Sequence, residues 1–278
     1  MSVELAWGAR TDVGLRRKVN EDTLIADFPL FLVADGMGGH EAGDVASERA
    51  LEAFRHLIGQ PTVSLDEVHA AFRNAVRDVA GIEAVRAAGT TISGVAVSQQ
   101  GGASYWLVIN IGDSRTYRLS AGRLEQISVD HSAVQELLEQ GRLQPQDAET
   151  HAERHVITKA VGAGSRAEPD YWMLPARAGD RLLVCSDGLS REVGFDRLRD
   201  VLTEEAAPEA AAVRLVHEAL LHGGRDNVTV IVIDALSVSD DAVDDDYPTV
   251  PSVFDEVEVD TVPRAGIDES EGGGDDQV

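Results

Sequence analysis

The chain has a single cysteine, Cys185, in 278 residues. One cysteine makes neither an internal disulfide nor a cysteine-based zinc site, so a secreted disulfide scaffold and a zinc finger are both excluded. Positive charge is scarce: 24 Lys and Arg stand against 49 Asp and Glu, a formal net charge of −25. A net-negative chain without a basic stripe argues against nucleic acid as the main partner. Long apolar runs are missing. The longest, such as Pro29–Ala34 and Val228–Ile233, hold about six residues, and a membrane helix needs roughly 20. The opening MSVELAWGARTDVG has no basic stretch leading into an apolar run, so it does not read as a signal peptide. The expectation is a soluble, cytoplasmic protein with no membrane partner, monomeric by default.

Hydrophobic residues make up 43% of the chain and charged residues 26%, which is ordinary globular composition. At this length a core forms without disulfides, as one large or two small domains. The charge is uneven. From Leu236 to Val278 there are fourteen acids and one base, Arg264. High charge with little apolar content does not offset the entropy of ordering. Residues 236–278 are therefore expected to be a disordered acidic tail behind a body of residues 1–235.

Within the body, β-rich runs bounded by Gly, Asp or Ser mark strands at Thr23–Ala26, Pro29–Ala34, Ile92–Val97, Ser104–Ile109, Thr116–Leu119, Arg181–Cys185 and Val228–Ile233. Three- and four-residue apolar spacing predicts helices over Ala42–Ile58, Leu65–Ala84, Ala133–Gln140 and Pro208–His222. There is no internal repeat. Two helices in succession precede a set of three strands, and YRLSAGRLEQI reads as a hairpin turning at Ala121-Gly122. The pattern predicts an α+β fold, antiparallel with helices packed outside, rather than a doubly wound parallel sheet. Residues 132–160, a short helix followed by a polar stretch, are expected to lie over the surface as a flap.

Asp-containing turns carry the chemistry. They are Asn20-Glu21-Asp22, Asp35-Gly36, Gly112-Asp113-Ser114-Arg115, Ser186-Asp187-Gly188 and Arg225-Asp226-Asn227, each beside a strand-like run. Singly, such turns are common structural devices. Jointly, they suggest carboxylates converging at one sheet edge, with glycine letting the backbone turn tightly and expose a carbonyl. Gathered carboxylates repel and their pKa values rise unless a cation intervenes. Carboxylates, a carbonyl and water form the ligand set of magnesium or manganese. Cys185 lies in an apolar run and reads as a packed core thiol rather than a nucleophile.

Eight strings occur in order: R-x-x-N-E-D (Arg17 to Asp22), A-D-G-M-G-G-H (Ala34 to His40), G-T-T (Gly89 to Thr91), I-G-D-S-R (Ile111 to Arg115), D-H-S (Asp130 to Ser132), I-T-K-A-V-G (Ile157 to Gly162), C-S-D-G-L (Cys185 to Leu189) and G-R-D-N-V-T (Gly224 to Thr229). Together they resemble the metal-dependent protein phosphatases of the protein phosphatase 2C type, in their bacterial form, from about Ala6 to Asp234. The resemblance implies two antiparallel sheets between helices, in α-β-β-α layers. It implies a phosphoserine/phosphothreonine protein phosphatase that opposes bacterial serine/threonine kinases, with phosphorylated proteins as substrates. It also implies two ions, Mg or Mn, and a third more weakly held. On that resemblance, a water or hydroxide between two such ions, about 4 Å apart, would attack the phosphate directly.

The resemblance assigns residue roles as well. Asp35 would bridge the ions and Gly36 would offer its carbonyl. Asp187 and Asp226 would hold the second ion, and Glu21 and Asp22 would act through bound waters. Asp113, with Asp187, would hold the third ion. Arg17 would clamp the phosphate, and Asn227 would support Asp226. Animal members carry His directly after the Asp-Gly pair, whereas here that position is Met37. The general acid is then His40 or a metal-bound water. Lys159 stands where the family more often has Arg, with an expected effect on packing. His131 is expected to fix a loop, and His151 and His155 to lie at the surface. A second reading stays open: a metal-binding regulatory or scaffold module that docks partners through the acidic tail, where Thr249 and Thr261 sit in Pro-flanked acidic contexts.

Overall fold

A computed structural model describes residues 3–38, 42–82, 88–148, 150–162 and 168–238. These fall within the first of two units, Met1–Ala242 and Val243–Val278. The tail threonines Thr249 and Thr261 lie outside the described residues. The elements run β1 (Val3–Asp12), β2 (Asp22–Asp27), β3 (Leu30–Met37), α1 (Gly43–Glu52), α2 (Leu65–Ala80), β4 (Gly89–Thr90), β5 (Ile92–Gln100), β6 (Ala103–Ile111), β7 (Arg115–Ser120), β8 (Arg123–Gln126) and α3 (Ala133–Glu139). They continue with α4 (Pro145–Ala148), β9 (Val161–Gly162), β10 (Asp170–Pro175), β11 (Arg181–Cys185), α5 (Asp187–Ser190), α6 (Phe195–Glu204), α7 (Pro208–His222) and β12 (Val228–Val238).

One sheet has five strands in the order β1-β12-β11-β7-β8. The other has seven, β10-β6-β5-β3-β4-β9 with β2 on β3. The pairings are antiparallel. The expected four layers are present. Central strands split their side chains by period two. On β3, Leu30, Leu32 and Ala34 pack with α1 and α2, while Phe31 and Val33 face the other sheet. On β12, Val228, Val230 and Val232 pack under α7, while Ile231 and Ile233 meet Val184 and Trp106 between the sheets. Both faces are covered, so these strands are apolar throughout even though the sheets are antiparallel.

Local chemistry fixes the ends. Ser64 caps α2 in a capping box with Glu67, and Pro208 opens α7 at its first turn. The β7–β8 hairpin turns at Ala121 (φ 49°) and Gly122 (φ 80°), as the sequence predicts. Several boundaries differ from expectation. The first helix stops at Glu52, and Arg55–Leu57 forms a separate 3₁₀ turn. The second stops at Ala80, before Gly81. The last strand passes the boundary placed at Leu236 and runs to Val238, because Val3 and Glu4 pair with Val238 and Ser237. Cys185 is buried in the core under α5–α7, and burial pushes its thiol up to about 12.

Candidate functional site

The antiparallel topology gathers the Asp turns. Asp22 opens β2 and stands opposite Asp35 of β3 in register. Like charges so paired are costly, so this register needs another reason. Asp113 sits in the β6–β7 turn, Asp187 begins α5 directly after β11, and Asp226 precedes β12. A cleft of about 240 Å³ is lined by Arg17, Glu21, Asp35, Gly36, Asp187 and Asp226, with Arg191 and Asn227. Asp35 lies within the strand, not at its end.

The surrounding hydrogen bonds are dense. The Asp35 N–H donates to Thr91 Oγ1 (3.0 Å), and the Thr90 hydroxyl donates to the Asp35 carbonyl (3.0 Å). Thr91 Oγ1 meets Ser114 Oγ at 2.7 Å, tying Asp35 to the Asp113 turn. The Ser186 hydroxyl donates to Asp22 Oδ2 (2.8 Å) and accepts from the Thr229 N–H (3.0 Å). Asn227 accepts from the Glu21 N–H (2.9 Å) and donates to the Val13 and Val19 carbonyls (3.0 Å each). It thus fixes the β1–β2 loop that carries Arg17 and Glu21. Its own N–H donates to Asp226 Oδ1 (2.9 Å).

Gly36 is needed for a reason other than the expected turn. A Cβ there would come within 2.0 Å of the Gly43 carbonyl oxygen. Gly188 is similar: its Cβ would lie 1.9 Å from the Asn227 carbonyl oxygen. Both glycines let two acid-bearing segments touch.

The electrostatics are those of crowded anions. Burial pushes Asp22 up to about 6, against hydrogen bonds from Thr229 and Ser186. Burial holds Asp35 well above the ordinary carboxylate range, reinforced by Asp22, Asp187, Asp113 and Asp226. Asp187 is raised by burial and by Asp113, with Arg191 opposing. Asp113 is raised by burial, again with Arg191 opposing. Asp22 Oδ1, Asp113 Oδ1 and Asp187 Oδ1 are buried without a hydrogen-bond partner. Such oxygens are costly unless a cation meets them.

Two guanidiniums stand among the acids. Arg17 donates to Asp226 Oδ2 (2.8 Å) and lies 3.9 Å from Glu21. Arg191 pairs with Asp187, donates to Asp113 Oδ2 (3.1 Å) and approaches Asp226 (3.9 Å). No three His, Cys, Asp or Glu side chains among the described residues form a ready metal-holding group. The donor chemistry nevertheless suits a hard cation: oxygen ligands, three of them orphaned.

The structure brings together Arg17, Glu21, Asp22, Asp35, Gly36, Asp113, Asp187, Asp226 and Asn227. His40 lies outside the described residues. His131 fixes a loop as expected: it accepts from the Gly112 N–H at Nδ1 (3.1 Å), and its Nε2 meets Asp170 (3.0 Å). His151 is half-buried and His155 exposed. Sequence reasoning missed Arg191. Its only sequence signal is its place four residues after Asp187, which one helical turn brings back onto the acid.

Asp22 gives a pH prediction. Its folded value, about 6, exceeds its ordinary 3.8, so the folded state binds the extra proton between those values. This group's contribution to stability is therefore present at low pH and is lost as pH rises toward 6. Asp22→Asn is expected to melt higher than wild type at pH 7 in chelator, with the gap closing toward pH 4, as read by scanning fluorimetry across about pH 4–7. A gap that does not change with pH counts against the assignment.

Fold and cleft together define a four-layer α+β protein with a carboxylate cluster where strands from both sheets end. Residues 18–222 match the family model described as Protein phosphatase 2C, and the chain belongs to that family. It is 39% identical over 244 residues to the serine/threonine protein phosphatase PstP of Mycobacterium tuberculosis, covering 85% of this chain but 46% of the relative. The chain thus spans about half the length of that relative. It is 34% identical over 241 residues to the serine/threonine phosphatase stp of Listeria monocytogenes, covering 81% of this chain and 94% of the relative. Among solved structures, the catalytic domain of PstP in complex with 2 manganese ions superposes with a TM-score of 0.73 at 38% identity, over 84% of this chain and 99% of that one. Among the described residues, no helix is long and apolar enough to cross a membrane.

Proposed function

We propose that this chain is a phosphoserine/phosphothreonine protein phosphatase dependent on divalent cations, Mg or Mn. The observation that carries the reading is the set of buried, unpartnered carboxylate oxygens on Asp22, Asp113 and Asp187, of which Asp187 lines the cleft with Asp35 and Asp226 and Asp22 stands opposite Asp35. A relative known with 2 manganese ions supports it. When bound, the cations lower the pKa of water and neutralise the phosphate it attacks.

The chain's own residues do the rest. Asp35, Asp187, Asp226 and the Gly36 carbonyl would hold the cations, and Glu21 and Asp22 would orient water. Arg17 stands on the rim, its planar fork matched to two phosphoryl oxygens. Its bond to Asp226 keeps it aimed over the cleft. Asn227 fixes the loop behind it. Asp113 and Asp187 would hold a third cation, at carboxylates that Arg191 pairs with here. The substrates are phosphorylated proteins, with bacterial serine/threonine kinases as the opposing activity. The protein acts as a cytoplasmic monomer, and its acidic tail begins beyond β12. Nothing among the described residues favours a regulatory module without turnover.

The test uses the purified full chain. With manganese it is expected to hydrolyse para-nitrophenyl phosphate and phosphothreonine peptides, to fall to background with chelator, and to recover when manganese is restored. Turnover indifferent to chelator, or cation binding without turnover, overturns the reading.

A further inference from the structure

A second cleft, of about 800 Å³, opens from the same acids. Asp113, Asp187 and Asp226 line it, and so do Arg154 and His155 of the segment 132–160. Its guanidiniums are not equivalent. Arg115 lies on Asp130 (2.6 Å), Arg225 holds Glu192 (2.9 Å), and Arg191 is taken up by Asp113 and Asp187. Arg154 is exposed and donates to the His151 carbonyl (3.1 Å). No carboxylate among the described residues pairs with it. His155 beside it is also exposed. Partial burial, then Arg191 and Arg154, hold its imidazole below its ordinary value, with Asp226 opposing.

The position has a chemical consequence. In a chain of net charge −25, acidic peptides are repelled on average. An unspent guanidinium on a cleft that leads to the acids is a local exception, and its fork matches a carboxylate or a phosphate. We propose that Arg154 is a specificity-determining residue: it binds an anionic group carried by a residue flanking the phosphoresidue of a peptide substrate. The assignment rests on the phosphatase reading for the place of the phosphoresidue. Two sources share this chemistry, an Asp or Glu side chain and a second phosphate.

Three labelled phosphothreonine peptides separate the possibilities: one with neutral flanks, one with Asp and Glu flanks, and one with a second phosphate as a non-hydrolysable phosphonate. Binding to the full chain in manganese is read by fluorescence anisotropy, and turnover by phosphate release. At least one anionic peptide is expected to bind about fivefold tighter than the neutral one, the scale of an exposed ion pair. The preference is expected to appear in KM and to shrink at roughly 0.5 M salt. Tighter binding of only one anionic peptide identifies the source. Arg154→Ala is expected to remove the preference, Arg154→Glu to invert it and Arg154→Lys to keep part of it. Equal binding of all three peptides by wild type, or a preference that survives Arg154→Ala, overturns the proposal. A binding preference without turnover supports Arg154 and overturns the phosphatase reading instead.

Discussion

Asp35→Asn is expected to lower phosphopeptide hydrolysis by about a thousandfold or more, the scale of losing a charge-stabilising group at a reacting centre. The same variant is expected to melt higher than wild type when both are measured in chelator. The two effects share a cause. Asp35 stands in register with Asp22, within reach of Asp187, Asp113 and Asp226, and burial already disfavours its charge. An amide of the same shape removes one anion from that group, and its backbone partners Thr90 and Thr91 stay in place. The gain is about 0.5–2 kcal/mol, typical of relieving strain kept for function, at roughly 2–4 °C per kcal/mol for a domain of this size. Manganese is expected to reverse the order, raising the wild-type melting temperature more than the variant's, because only wild type offers the full set of acids. An active variant, or one that melts below wild type in chelator, counts against Asp35 as a cation-holding residue.

Much of this site is legible in the chain. Each acid lies beside a short apolar run, and those runs are continuous because their strands are covered on both faces, as Phe31, Leu32 and Val33 are. What the pattern hides is which turn meets which. That Asp22 faces Asp35 follows from antiparallel register, which periodicity does not encode. The sheet-edge picture also assigned Gly36 a turn, whereas the structure requires a close backbone approach to Gly43. The joint occurrence of the turns suggests one site, but only the resemblance gave each residue its role.

Strands β1 and β10 escape detection for a physical reason. Each is the edge of its sheet, with half-exposed residues such as Trp7 and Met173 in place of an apolar run. Helix α6 is hidden by its charged face, FDRLRDVLTE, although Leu198, Val201 and Leu202 are buried. Arg191 is invisible for a similar reason: an arginine after DGLS reads as surface until one helical turn returns it to Asp187.

Asp180→Ala is expected to cost about 3–5 kcal/mol, the penalty for stranding one partner of a buried ion pair. Asp180 precedes β11, and its side chain is fully buried. It accepts from Trp106 Nε1 of one sheet (3.0 Å) and from Arg118 Nη2 of the other (2.8 and 2.9 Å). It also accepts from the Ser120 hydroxyl (2.8 Å) and the Arg177 N–H (3.0 Å). One carboxylate thus ties the two sheets at the end of their shared core. Without it, the Arg118 guanidinium, 12% exposed and with its Nε already unpartnered, keeps a charge that no other carboxylate among the described residues pairs with. The indole N–H and the serine hydroxyl also lose their acceptor. Asp180→Asn keeps an acceptor oxygen but loses the charge, so its cost is expected to be smaller. Urea unfolding of wild type, Asp180→Ala, Arg118→Met and the double variant tests this. The double variant is expected to be more stable than Asp180→Ala alone, because the stranded charge is gone and the two sites are coupled. If Asp180→Ala costs less than about 1 kcal/mol, or if removing Arg118 makes it worse by the full additive amount, the carboxylate is not what holds the sheets together there.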